Sequence, residues 1–299
     1  MVDYHQPVMV EKVVDFLITD PHGVYVDATV GGAGHAKLIL ERTSNQAILI
    51  GIDRDKEAIE VAQKELEVYG NRVKIIHGPF SKISEILVQE KIDLIQGALF
   101  DLGVSSWQLE LPERGFSFSK DGPLDMRMDR RQKMDACQVV NTFSEKDLSD
   151  IIFHYGEERK SRQIARSIVL ARQKKPITTT GELEKIIWSC MPGKRGKIHP
   201  ATRTFMALRV FVNQELDELT IALKNIVEYL REGGRLVILS YHSLEDRIVK
   251  NFYRSHSQLE IINRKPIIPS QEEIHLNPRA RSAKMRVAQK IRREEGTLI

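Results

Sequence analysis

Cysteine is nearly missing from this sequence. The 299 residues include two, Cys137 and Cys190, too far apart to form a C-x-x-C pair. A zinc ribbon and a disulfide framework are thereby excluded, no metal is expected, and a reducing cytoplasm is the expected compartment. No apolar run approaches bilayer-spanning length, so no membrane partner is expected. The opening Met1-Val2-Asp3-Tyr4-His5-Gln6-Pro7 lacks a basic-then-apolar signal pattern. Low-complexity tracts and internal repeats are absent as well. What is present is 41% hydrophobic, enough for a substantial core, so disordered, collagen-like and mini-protein classes drop out. The length exceeds what one compact core usually takes. It predicts one large domain with an insertion, or two domains.

The net charge of +4 conceals an uneven distribution. Residues 1–110 carry 10 Lys and Arg against 17 Asp and Glu, net −7; residues 111–203 carry 19 against 12, net +7; residues 204–299 carry 16 against 12, net +4. An acidic first third beside a basic remainder favours a polyanionic partner over a set of indifferent solvated faces. The tail adds Arg279, Arg281 and Arg286 as candidate phosphate contacts.

Strand and helix signals alternate between residues 24 and 110. Val24-Tyr25-Val26-Asp27 is a short strand that stops at the glycine cluster Gly31-Gly32-Ala33-Gly34, and a helix follows from His35 to about Arg42. Ala47 to Asp53 reads as a buried strand ending on a carboxylate. Ile59, Ala62 and Leu66 mark one helix face, Val73 to Ile76 a third strand, and Ile92 to Asp101 contains a fourth. Strands separated by helices require crossovers, which predicts an α/β fold with a mostly parallel sheet covered on both faces. From about residue 113 the rhythm turns helical. Ser144 can cap a helix through Tyr155, Ile164 to Ile168 belong to another, and Thr179-x-x-Glu182 is a capping box, with Pro176 and Pro192-Gly193 as punctuation. Residues 113–203 are therefore expected to be a helical insertion between two parts, 1–112 and 204–299, of an α/β domain. In the second part Pro200 suits a first helical turn. Leu216, Leu219, Leu223, Ile226, Val227 and Leu230 form an apolar stripe, Gly233-Gly234 is expected to end that helix, and Arg235 to Ser240 to be a fifth strand.

The segment Asp27-Ala28-Thr29-Val30-Gly31-Gly32-Ala33-Gly34-His35 lies between a strand and a helix, where glycines admit a ligand close to the backbone. It is not the dinucleotide fingerprint, which from Gly32 would need glycine at Lys37. Asp53 ends the next strand, 21 residues after Gly32, where a carboxylate can accept from ribose hydroxyls. Together they point to a nucleoside-containing cofactor. Asp101 and its successors, Ser105 among them, follow the fourth strand and line the same crevice. Phe80 can pack on a flat base or serve as a core aromatic. The loop from Glu113 to Asp129 mixes arginines and aromatics without packing periodicity; Arg114 and Arg127 are candidate phosphate contacts, Phe116 and Phe118 candidate base-stacking rings. His199-Pro200-Ala201-Thr202-Arg203 opens a helix at an anion-favouring end, which makes Arg203 a third phosphate candidate. His242, beyond the fifth strand, is either a structural histidine or a base.

These runs together resemble the MraW family, the bacterial small-subunit ribosomal RNA methyltransferase H type. The resemblance is carried by His5-Gln6-Pro7-Val8, the 27–35 run, Gly51-Ile52-Asp53-Arg54-Asp55, His77-Gly78-Pro79-Phe80, Asp101-Leu102-Gly103-Val104-Ser105-Ser106, Arg114-Gly115-Phe116-Ser117-Phe118, Asp121 to Asp129, Tyr155-Gly156-Glu157-Glu158-Arg159, His199 to Phe205, His242-Ser243-Leu244-Glu245-Asp246-Arg247 and Asn277-Pro278-Arg279-Ala280-Arg281-Ser282. It implies a class I, Rossmann-like, seven-stranded methyltransferase sheet with an inserted helical domain for RNA recognition. It further implies S-adenosylmethionine as cofactor, held by Ala33, Gly34, His35, Asp53, Phe80, Asp101 and Gln108, and methylation of the exocyclic N4 of one cytidine in the decoding region of 16S ribosomal RNA. No DNA substrate is expected, and a homodimer is allowed. Asp101, Ser105 and His242 are the catalytic candidates. Amino-methyltransferases commonly carry Asp/Asn/Ser-Pro-Pro-aromatic where this chain has Asp101-Leu102-Gly103-Val104, so the stacking ring must come from elsewhere: Trp107, Phe116, Phe118 or Tyr241. Two other readings compete, a methyltransferase acting on DNA or another amine and an RNA-binding assembly factor without turnover.

Overall fold

The computed structural model describes residues 7–191 and 198–292; His5 and Gln6 of the opening motif, Pro192-Gly193 and Arg293 lie outside the described residues. Seven strands, β1 Val24–Asp27, β2 Ile48–Asp53, β3 Val73–His77, β4 Ile95–Asp101, β5 Leu230–Ser240, β6 Leu259–Ile261 and β7 Lys284–Lys290, form one sheet in the order β3-β2-β1-β4-β5-β7-β6. The first five are parallel and β7 runs antiparallel to both its neighbours. This is the α/β methyltransferase-type sheet that the resemblance implies. Side-chain alternation sends Val26, Ile50, Ala98 and Ile238 to one face and Tyr25, Leu49, Leu99 and Val237 to the other. Helices Ile83–Gln89, Glu215–Tyr229 and Ser243–Ser255 cover the first face, and Val10–Leu17, Gly34–Arg42 and Lys56–Leu66 the second. Each fully buried aliphatic side chain in these layers contributes about 1.5–3 kcal/mol of transfer free energy.

Two compact units emerge, Met1–Gly103 with Leu216–Ile299, and Val104–Glu215. The helical unit thus extends beyond residues 113–203 at both ends. Its core explains why: Phe205, Ala207, Leu208 and Val212 from helix Thr202–Val212 are buried in it, and Val104 and Leu109 pack against it. Within this unit the expected caps are made, Ser144 Oγ accepting from the N–H of Asp147 and Thr179 Oγ1 from that of Glu182. Asn213, fully buried, donates to the Met126 and Arg209 carbonyls and accepts from the N–H of Met128, which fastens the 112–131 loop to the helices.

Two local expectations change. Helix Glu215–Tyr229 stops before Gly233-Gly234, because β5 begins at Leu230 opposite Ile95, and a bulge then takes up the residues before Arg235 pairs with Gly97. Gly233 supplies the left-handed turn of that bulge, with φ +79°. Pro200 precedes the cap of helix Thr202–Val212 rather than standing in its first turn. Among the described residues no helix is long and apolar enough to cross a membrane.

Candidate active site

Strands β1, β2 and β4 are parallel neighbours in close register, so they bring Asp27, Asp53 and Asp101 to one edge of the sheet. The glycine turn crosses that edge. Gly31, at φ +49°, donates its N–H to Asp53 Oδ2 (3.0 Å), and the Asp55 N–H donates to Asp53 Oδ1 (2.9 Å). Asp53 is therefore the fastener between β2 and the turn, and its remaining lone pairs stay available for hydroxyl donors. Gly34, first residue of helix Gly34–Arg42, lies so close to Pro7 that a β-carbon would come within 2.8 Å of Pro7 Cγ.

The electrostatics of this edge are unusual. Among the described residues neither Asp27 nor Asp53 has an ion-pair partner. Burial, with Asp101 and Asp53 nearby, pushes the Asp27 carboxyl up to about 7, and burial lifts Asp53 to about 6. His35 is pushed the other way, down to about 4, by its own burial. Its Nε2 is 3.0 Å from the Val8 carbonyl, which only accepts, so Nε2 carries the proton and Nδ1 is a lone pair. That lone pair faces Asp101 Oδ2 at 3.6 Å. Asp101 is fixed at both its side chain and its backbone. Tyr241 donates its hydroxyl to Asp101 Oδ1 (2.7 Å), and the Asp101 N–H donates to Thr29 Oγ1 (2.7 Å). Burial and the adjacent Asp101 raise the Tyr241 hydroxyl well above its ordinary range, so it remains a donor. Phe80 meets Phe100 edge to face, 5.6 Å between ring centroids, at the margin of the core.

The MraW methylase family profile matches residues 3–291. Ribosomal RNA small subunit methyltransferase H of Caldicellulosiruptor bescii is 52% identical over 96% of this chain and 99% of its own length. The proteins of the same name from Caldicellulosiruptor saccharolyticus and a Cyanothece species are 48% and 47% identical, over 96% and 98% of this chain and 99% and 96% of theirs. The chain belongs to the MraW methylase family.

The remaining candidate residues of this MraW methylase fall into different settings. His242 caps helix Ser243–Ser255, with Nε2 3.1 Å from Glu245 Oε1, and is almost wholly enclosed. In the helical unit, Ser105 and Gln108 form a reciprocal capping box: Ser105 Oγ accepts from the Gln108 N–H and Gln108 Oε1 from the Ser105 N–H. Arg203 is half exposed, donating to the Glu157 carbonyl. Phe118 stacks on His199.

Four expectations are corrected by burial and pairing. Arg114 is 1% exposed and donates to the Arg127 and Met128 carbonyls, so it holds the loop together and offers no surface to a phosphate. Arg127 grips Asp125 with Nε and Nη2 at 2.7 and 2.8 Å. Phe116 is buried in the helical core and presents no face to a base. In the tail, Arg286 is buried on Asp246 (2.6 Å), while Arg279 and Arg281 are exposed. Composition gave no role to Asp27 or to the Tyr241 hydroxyl; a carboxylate at the first strand end, beside two others, was the available signal for Asp27.

The setting of Arg114 makes a direct prediction. Arg114→Met keeps the volume but strands two loop carbonyls, so it should cost about 2–4 kcal/mol, read as a lower urea midpoint. The salt dependence of polyanion binding should stay parental in the folded fraction; a flatter slope with unchanged stability would restore Arg114 as a phosphate contact.

Proposed function

We propose that this chain is a cytoplasmic S-adenosylmethionine-dependent methyltransferase of small-subunit ribosomal RNA, acting on the exocyclic N4 of a cytidine. The full-length likeness to relatives named for ribosomal RNA small subunit methylation carries the reading. The strand-tip edge supports its chemistry. A buried edge whose Asp27 and Asp53 carboxyls have no ion-pair partner among the described residues suits a ligand that brings positive charge.

S-adenosylmethionine, when bound, supplies a methyl group on a cationic sulfonium. Ala33, Gly34 and His35 would hold it at a helix N-terminus that favours a carboxylate, Asp53 would take ribose hydroxyls, and Phe80 would supply an apolar flank. Cytosine N4 is a weak nucleophile because its lone pair is delocalised into the ring. A fixed carboxylate that accepts from N4–H strengthens as that nitrogen loses its planarity, and Tyr241 fixes Asp101 for this role. Because the reaction is at a base edge, the nucleotide must be unpaired or flipped out. The helical unit is the proposed RNA-recognition domain, in keeping with the basic balance of residues 111–203.

The decisive measurement is mass spectrometry of ribosomal RNA nucleosides from cells with and without the gene. Loss of N4-methylcytidine is expected; an unchanged level would overturn the assignment. Tyr241→Phe should slow single-turnover methylation about tenfold in the folded protein, the worth of one hydrogen bond to a carboxylate. A parental rate would mean that Asp101 needs no such support.

A pH dependence follows from the raised carboxyls. Before binding, Asp27 holds its proton up to about pH 7; a cation beside it expels that proton, so affinity for a cationic ligand should rise with pH and level off above about 7. S-adenosylhomocysteine differs by lacking the transferred methyl group and, with it, the sulfonium charge. The ratio of its dissociation constant to that of S-adenosylmethionine should therefore grow about three- to tenfold between roughly pH 5.5 and 7.5. Calorimetry at several pH values reads it, and a flat ratio would detach these carboxylates from the sulfonium.

A further inference from the structure

The helical unit carries three aromatic rings in register. Phe118 and His199 stack at 4.5 Å with 27° between planes, and His199 and Trp188 at 5.0 Å with 26°. Phe118 is anchored from behind by the edge of Phe205 at 5.0 Å. His199, the middle ring, is fixed at both nitrogens: Nδ1 accepts from the Ala201 N–H, so Nε2 carries the proton toward Glu184 Oε1 at 3.3 Å. Trp188, the outer ring, is 51% exposed. An indole left half in water at the end of a rigid stack costs apolar hydration that a surface polar residue would avoid.

The surroundings are cationic. Gln163 donates to the Cys190 carbonyl just beyond Trp188, which brings the exposed Arg162 and Arg166 of helix Ser161–Arg172 beside the end of helix Thr180–Ser189. Lys185, also exposed, stands one turn before Trp188 on its own helix. A half-exposed indole on a helix that also carries exposed Lys185, next to a helix that carries exposed Arg162 and Arg166, suits an unpaired nucleobase with its phosphates, since every base has a π-face and every linkage a negative charge.

We propose that Trp188 is a base-stacking platform for the RNA substrate, the outermost ring of a Phe118–His199–Trp188 stack that an unpaired nucleotide extends by one. The proposal rests on the RNA-methyltransferase reading and adds where a base of that RNA is held on the helical unit. Phe118 supports the platform from inside rather than meeting a base directly.

The test is binding of a mixed-sequence single-stranded RNA of about twenty nucleotides, followed by anisotropy at several salt concentrations, for the parent, Trp188→Ala and Trp188→Phe. Trp188→Ala should weaken binding between about fivefold and a hundredfold, the range for loss of one base–aromatic stack, and Trp188→Phe should recover most of it. The salt slope should match the parent's, because stacking releases no counterions. Affinity for S-adenosylmethionine should be unchanged, and urea titration should show both variants folded under the assay conditions. In a Trp107→Phe background Trp188 is the single tryptophan of the chain, and its fluorescence should be quenched by RNA. Parental RNA affinity in Trp188→Ala overturns the platform alone. Weaker binding with a flatter slope also overturns it, in favour of a disturbed basic rim. A parent that binds no RNA overturns the RNA reading, and the platform with it.

Discussion

Taking a carboxylate out of water without an ion-pair partner is among the costlier things a fold does; among the described residues Asp27 at the end of β1 and Asp53 at the end of β2 are both so placed, with the Arg54 charge offsetting part of the cost at Asp53. The cost is contained by local donors. Asp27 accepts from the Thr29 N–H, and Asp53 from the Gly31 and Asp55 N–H groups. Those same bonds shape the glycine turn and so aim helix Gly34–Arg42. Proton linkage gives this edge opposite responses to acid. Asp27 and Asp53 have folded-state values above the unfolded ones, so their contribution favours the folded state increasingly as pH falls from about 7 toward the ordinary carboxylate range. His35 is depressed to about 4, so its contribution is lost as pH falls below the ordinary histidine value. A cationic ligand removes the need for the protons.

Much of this was legible because strand ends are legible. Apolar runs closing on Asp27, Asp53 and Asp101, with helices between them, predict parallel strands whose carboxyl ends meet, and the structure places the three carboxylates there. Capping signals worked for the same local reason, as at Ser144 and Thr179. Strands β6 and β7 had no such signature: Leu259–Ile261 is three residues long, and in Lys284–Lys290 the charged Arg286 points inward to Asp246. They were expected from family resemblance alone. The start of β5 was misplaced because two adjacent glycines end helices and also permit bulges, and the choice between these lies in the pairing with β4.

Residue type failed where the question was which way a charge faces. A loop of arginines and acids in a basic segment reads as a phosphate-binding surface. Yet an irregular loop packed against helices leaves its own carbonyls in need of donors, and a guanidinium satisfies several at once. Arg114 does this for the Arg127 and Met128 carbonyls, while Arg127 is taken by Asp125. Phe116 follows the same rule for apolar surface, filling the core under the loop. Phe118, two residues on, packs at the margin of that core and joins a stack with histidine and tryptophan. Two phenylalanines two positions apart therefore serve unlike ends, and no sequence periodicity separates them.

The charge asymmetry of the chain then has a physical sense that net charge alone conceals. Residues 1–110, at net −7, contain β1, β2 and β4 and the carboxylates at their ends, a setting that disfavours a phosphate backbone and favours a cationic small molecule. Residues 111–203, at net +7, contain the exposed Arg162, Arg166 and Lys185 and the half-exposed indole of Trp188, a composition that favours a polyanion. A two-substrate reaction whose substrates carry opposite charge sets two demands that one uniformly charged surface cannot meet together. At physiological ionic strength the fields of exposed groups decay over roughly 8 Å, whereas buried groups are screened much less. The attraction of the strand-tip carboxyls for a cation should therefore persist at salt concentrations that screen the exposed cations of residues 111–203.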